Sequence, residues 1–186
     1  MAGTDTSASP PAPPSASSLH GYFGTLARYH RWALEKLYQH VDRLPEHDYR
    51  RDAGLFFRSV HGTLNHLLVA EHEVWYPRFA SGISNRVALD AELETDRAVL
   101  RRRLLEATAR WQPLIASWDA ARFDDRLDYT TTRGVAQSLP FALTLGHVFN
   151  HGTHHRAQIT AAITALGRPC PELDLVWMLQ AENVPG

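Results

Sequence analysis

Four histidines fall within nine residues near the C-terminal end of the chain, in Gly146-His147-Val148-Phe149-Asn150-His151-Gly152-Thr153-His154-His155-Arg156-Ala157-Gln158. His147, His151 and His155 recur every four residues. A helical residue advances about 100°, so each step of four drifts by only about 40° and the three rings form one stripe. His151 and His155, one turn apart, can converge on a single cation, while His154 points to the flank. Two imidazoles leave a metal site incomplete, so a third ligand must come from another helix. In Thr63-Leu64-Asn65-His66-Leu67-Leu68, His66 sits in an apolar run and is expected to face inward. His61 and His72 are rotated well away from it. Glu73, seven residues on and almost on the same face, is a weaker candidate for a ligand or for a partner behind one. Alone, an inward histidine reads as a hydrogen-bonded core residue. The density of imidazoles, with Gly152 permitting close approach, shifts the reading to a bound metal.

Three neutral imidazoles with an open position suit a catalytic divalent site. The Irving–Williams order puts Zn(II) or Ni(II) first, Fe(II) or Mn(II) behind them, and disfavours Ca(II) and Mg(II). Such an ion lowers the pKa of a bound water or thiol, and the residues do not choose between the two.

Helices must position these groups. From Leu19 to Val41, Tyr22, Leu26, Tyr29, Ala33, Leu37 and Val41 form one apolar stripe. Leu44-Pro45 ends it, and Glu46 to Gly54 reads as a loop or a single turn. A second helix is predicted from about Phe57 to Trp75 or Tyr76, closing at Pro77. A connector at 81–85 precedes a third helix over Leu89 to Ile115, with Arg101-Arg102-Arg103 on a solvated face and a kink expected near Pro113. The stretch from Phe123 to Leu139 reads as a short hairpin or an irregular crossing. A fourth helix starts near Pro140 and runs to Leu166, with Gly167 as its C-cap and Pro169 preventing continuation. A short helix over Leu173 to Gln180 completes the series. Trp32, Trp75 and Trp111 are expected in the core, and His20, His30, His40 and His47 on the surface or in loops. The fold class is therefore all-α: a four-helix bundle over 19–186, in which the connection between helices three and four is long enough to be a crossover.

The 186 residues make about one domain. Nineteen Lys and Arg against twenty Asp and Glu leave a net charge of -1, which argues against a nucleic-acid binder. The single cysteine, Cys170, excludes an internal disulfide and Cys-rich zinc modules. Residues 1–18, MAGTDTSASPPAPPSASS, read as a disordered tail with neither a basic nor an apolar signal region. No segment is apolar enough to span a bilayer, so the cytoplasm is the expected location.

Three stretches together carry a resemblance: Leu26-Ala27-Arg28-Tyr29-His30-Arg31-Trp32-Ala33, Gly62-Thr63-Leu64-Asn65-His66-Leu67-Leu68-Val69-Ala70-Glu71, and the histidine segment from His147 to Gln158. They resemble the DinB family of bacterial proteins, over about Leu19 to Gln180. Where that family's motif has Gly, this chain has Ala157, a small-for-small change. The resemblance implies a four-helix bundle with a long crossover, often a homodimer, and a divalent metal held by His66, His151 and His155. It also brings in thiol-dependent S-transferases and a mycothiol-dependent maleylpyruvate isomerase, in which a metal activates a low-molecular-weight thiol. The family name refers to damage-inducible expression and carries no DNA chemistry.

Two functions follow. One is a metal-dependent transferase or hydrolase acting on an unknown small molecule. In it His147 would serve as general base or as a donor behind a ligand, with Asn150 and Arg156 orienting a substrate anion. The other is a non-catalytic metal-binding or stress-response protein, whose structural site would be closed by a fourth ligand such as His147 or Glu73.

Overall fold

A computed structural model describes residues 16–183. The tail expected over residues 1–18 falls outside them except for its last three, which begin the first helix. Helix α1 (Ala16–Val41) is followed by the short α2 (Glu46–Arg50). The second rod is continuous but not uniform: α3 (Val60–Leu67), a π-helical segment (Leu68–Trp75) and α4 (Tyr76–Ser81). The third rod is α5 (Arg97–Ala109) and α6 (Trp111–Ala116). A 3₁₀ turn (Ala120–Asp124) leads into a hairpin of β1 (Arg126–Thr130) and β2 (Ala136–Pro140). The fourth rod is α7 (Phe141–Ala165), and α8 (Leu175–Glu182) follows. No helix among the described residues is long and apolar enough to cross a membrane.

Two apolar clusters fill the ends of the bundle. One contains Leu34, Leu37, Leu64, Leu67, Leu100, Leu104, Ile159 and Ile163. The other contains Phe23, Ala27, Phe79, Trp111, Ile115, Phe141, Leu145 and Phe149. Their order along the chain gives the direction of each rod. α1 and α7 run from the second cluster to the first, whereas the second and third rods run the opposite way. The bundle is thus up-down-down-up. Since the second and third rods are parallel, the chain between them must travel the length of the molecule, and residues 82–96 do so.

This relocates the expected crossover. The third helix starts at Arg97 rather than Leu89, where Asp96 caps it by accepting from the Val99 amide at 2.8 Å. It breaks at Arg110, before Pro113, with Trp111 opening α6. The connection between the third and fourth rods stays at one end, where Phe123 and Leu127 join the second cluster. Pro77 does not close the second helix; it occupies the first turn of α4, where a missing N–H costs little. In α1 the buried stripe includes Phe23, Leu34 and Tyr38, while Tyr22 is exposed. Of the expected core tryptophans, Trp111 is fully buried and Trp32 and Trp75 are half-buried. Arg101 and Arg103 pair with Asp42 and with Glu73 and Glu94 on the outer face, as a solvated run should.

Candidate metal centre

Between the two apolar clusters the rods place polar side chains at one level: His30 from α1, His66, Glu71 and His72 from the second rod, and His151, His155 and Arg156 from α7. His66, His151 and His155 each bring a ligand-capable atom within 4.8 Å of the other two. No fourth His, Cys, Asp or Glu belongs to that group among the described residues.

Each of the three rings has its Nδ1 committed. His66 Nδ1–H donates to the Leu89 carbonyl at 2.7 Å, on the crossover. His151 Nδ1–H donates to Glu71 Oε1 at 3.2 Å. His155 Nδ1–H donates to Gln158 Oε1 at 2.9 Å, and the Gln158 amide in turn donates to His154. Acceptors at every Nδ1 assign the tautomer and leave each Nε2 as a lone pair. Yet His66 Nε2 and His151 Nε2 lie 3.0 Å apart. Two lone pairs at that distance repel unless a cation or a proton lies between them. The donor set therefore fits a divalent transition metal: three soft-to-borderline nitrogens, oriented from behind, on two rigid helices. Burial reinforces it, since loss of water pushes His66 and His155 each down to about 4, with neighbouring imidazoles adding to the shift. They are neutral, ligand-ready bases at neutral pH.

Phe57 covers this site. Its ring stacks on His66, with centroids 3.7 Å apart and planes 15° from parallel. The turn that delivers it passes so close to α3 that a Cβ at Gly62 would lie 2.2 Å from the Phe57 carbonyl oxygen. On the other side, His66 and His151 border a cavity of about 280 Å³. His147 lies on its wall, exposed, with its ring 5.3 Å from that of Trp75 and 5.8 Å from that of His151.

Behind the triad lies a second group that sequence reasoning missed. Glu71 is 1% exposed and His30 2%. Glu71 Oε2 lies 3.0 Å from His30 Nε2 and 3.8 Å from His72 Nε2. Arg156 Nη1 donates to His30 Nδ1 at 2.8 Å, which places the His30 proton on Nε2, facing the carboxylate. His30, Glu71 and His72 also bring ligand-capable atoms within 4.8 Å of one another. A proton on His30 Nε2 withdraws its lone pair, however, so the group reads as a relay of polar contacts from Arg156 through His30 to Glu71 rather than as a second cation site. Burial alone would raise the Glu71 pKa, but His30 and His151 more than reverse this and hold it well below the usual carboxylate range. Burial pushes His72 down to about 3.

Several expectations are corrected. His30 is not a surface residue; it is at the centre of this relay. Arg156 is buried against Tyr29 and His30 and cannot orient a substrate, and Asn150 faces solvent. Glu73 pairs with Arg103 at 2.8 Å and is no ligand. His61 and His72 stand apart from the triad as expected, but both are buried, His61 between the Tyr49 hydroxyl and Glu92. The π segment explains why Glu71, not Glu73, reaches the site. Its i→i+5 hydrogen bonds widen the turn, so a residue five beyond His66 swings back toward the same face.

The chain matches the DinB family over residues 16–185. Searches of curated proteins and of solved structures find no match.

Proposed function

The chain belongs to the DinB family, and from that premise and the geometry of the layer we propose that it is a metal-dependent enzyme holding one divalent transition metal, Zn or Ni foremost, on His66, His151 and His155. The observation that supports this most is the 3.0 Å approach of two nitrogens whose Nδ1 partners leave both as lone pairs. When bound, the ion supplies Lewis acidity that lowers the pKa of a thiol or water taking its open position. The protein residues do the rest. Leu89, Glu71 and Gln158 hold the three rings in orientation. Phe57 keeps water off one face of His66. In this reading His147, which lines the cavity and is not in the ligand group, takes a proton from a nucleophile or gives one to a leaving group.

A structural site is normally closed by four protein ligands. The group of three beside a cavity favours a catalytic site over the structural alternative. Protein purified without a His tag should contain near-stoichiometric transition metal, and His151→Ala should lose it. Unchanged metal content in that variant would place the metal elsewhere. A screen of low-molecular-weight thiols with electrophilic substrates, with and without chelator, tests the chemistry. Turnover that chelation does not touch would remove the metal from the reaction.

A further inference from the structure

The cavity beside the triad has a second chemical pole. Arg78, on α4, lines it together with His66, His147 and His151. The side chain is unusually placed for a cation: the residue is 4% exposed, yet no Asp or Glu among the described residues forms an ion pair with it. Arg156, the other deeply buried arginine, is served by the His30–Glu71 relay. Arg78 instead packs against two aromatic rings, its guanidinium carbon 4.6 Å from the Trp75 ring centroid and 4.4 Å from that of Tyr129, with the two centroids 5.2 Å from each other and so on the same side of it. One donor is used, Nη2 to the Thr130 carbonyl on β1 at 2.9 Å. Nε is buried with no acceptor.

Aromatic stacking stabilises a guanidinium over its faces but supplies no counter-charge. An unpaired buried cation is costly, and burial correspondingly lowers the Arg78 pKa, although a guanidinium stays charged. With only Nη2 bonded within the protein, N–H donors remain along the planar edge for a ligand. That edge matches a carboxylate, which is flat and accepts twice. A phosphate dianion would call for more cations or N–H donors than this wall offers. The rest of the cavity is largely apolar, with Val74, Trp75 and Leu89. Its volume of about 280 Å³ is small for a ligand pocket.

We propose that this cavity binds a small organic carboxylate with an apolar body, its carboxylate countering Arg78 and its other end directed toward the His66–His151 side. The assignment rests on the metal-centre reading only for what lies at that far end, and the test separates the two.

The test is titration calorimetry of the full chain with acetate, benzoate and 3-phenylpropanoate, each beside its neutral amide, on zinc-loaded and on chelator-stripped protein. At least one acid should bind ten-fold or more tighter than its amide in both forms. Arg78→Gln should abolish that preference and Arg78→Lys should retain part of it. In wild-type protein labelled with ¹⁵N at arginine Nε, the Arg78 signal should shift with the acid and not with the amide, a readout that needs no variant to fold. No preference for any acid, a preference that survives Arg78→Gln, or an unmoved Arg78 signal overturns the proposal. A preference confined to zinc-loaded protein also overturns it, because the metal would then be the anion site. Absence of any bound metal would sink the metal-centre reading while leaving the stripped-protein result to decide this one.

Discussion

Glu71 Oε1 accepts the Nδ1–H of His151 at 3.2 Å, and this one contact joins a candidate ligand to a charge buried behind it. The carboxylate fixes the His151 tautomer, and its other oxygen faces His30, which Arg156 orients in turn. Partners of this kind tune ligand basicity, and losing one typically costs about 10- to 100-fold in metal affinity. Glu71→Gln should therefore weaken zinc binding by about that factor while the fold persists, measured by competition with a chromophoric chelator. Unchanged affinity would mean that Glu71 serves packing alone.

Gly152→Ala should be destabilising although Ala is the better helix former. A Cβ there would lie 2.7 Å from His30 Cε1, 2.8 Å from Glu71 Oε1 and 2.9 Å from Arg156 Nη1. Three polar groups locked to one another cannot all retreat. A loss of about 1–3 kcal/mol is expected, in the range for overpacking, read from urea unfolding. A gain in stability would show that the relay is softer than its distances imply.

Gly62→Ala acts on the opposite face. The Phe57 carbonyl must move away from a Cβ 2.2 Å distant, and the ring stacked on His66 moves with it. Release of zinc to excess chelator should then be about tenfold faster, the scale of losing one orienting contact. An unaltered release rate would show that Phe57 does not guard the site.

Acid should unfold the metal-free chain through its histidines. Burial holds His66 and His155 at about 4 and His72 at about 3 in the fold, against about 6.5 when exposed. Between those values the unfolded chain binds more protons than the folded one, so stability rises with pH. The contribution is complete above about 6.5 and is lost as pH falls toward the folded values. Melting temperatures in chelator should drop from about pH 7.5 to about pH 4.5, with uptake on the order of one proton per histidine. A flat profile would contradict the burial of these rings.

The α7 stripe was legible because a regular helix turns residue number directly into direction, and His147, His151 and His155 lie where a turn of 3.6 puts them. His66 was legible from the apolar run around it. Glu71 was not, because its placement depends on a π segment that no residue type from Leu68 to Trp75 announces. His30 was lost because a polar residue in an otherwise amphipathic α1 looks solvent-facing until its buried partners are known. The crossover was hidden by Leu89 and Leu93, whose spacing of four mimics a helix. The cap at Asp96, just before Arg97, was the available sign that the helix begins later.

The interior of this bundle is two oily compartments with an ionic floor between them. Residues of α1, the second rod and α7 meet at that floor, while Leu37 and Leu64 lie above it and Phe23 and Phe149 below. Whatever occupies the floor is thus the tie that makes both compartments open together. Native-state exchange of backbone amides at the two ends should therefore be coupled through it, and loading the site should tighten parts of the molecule that never touch the ligand.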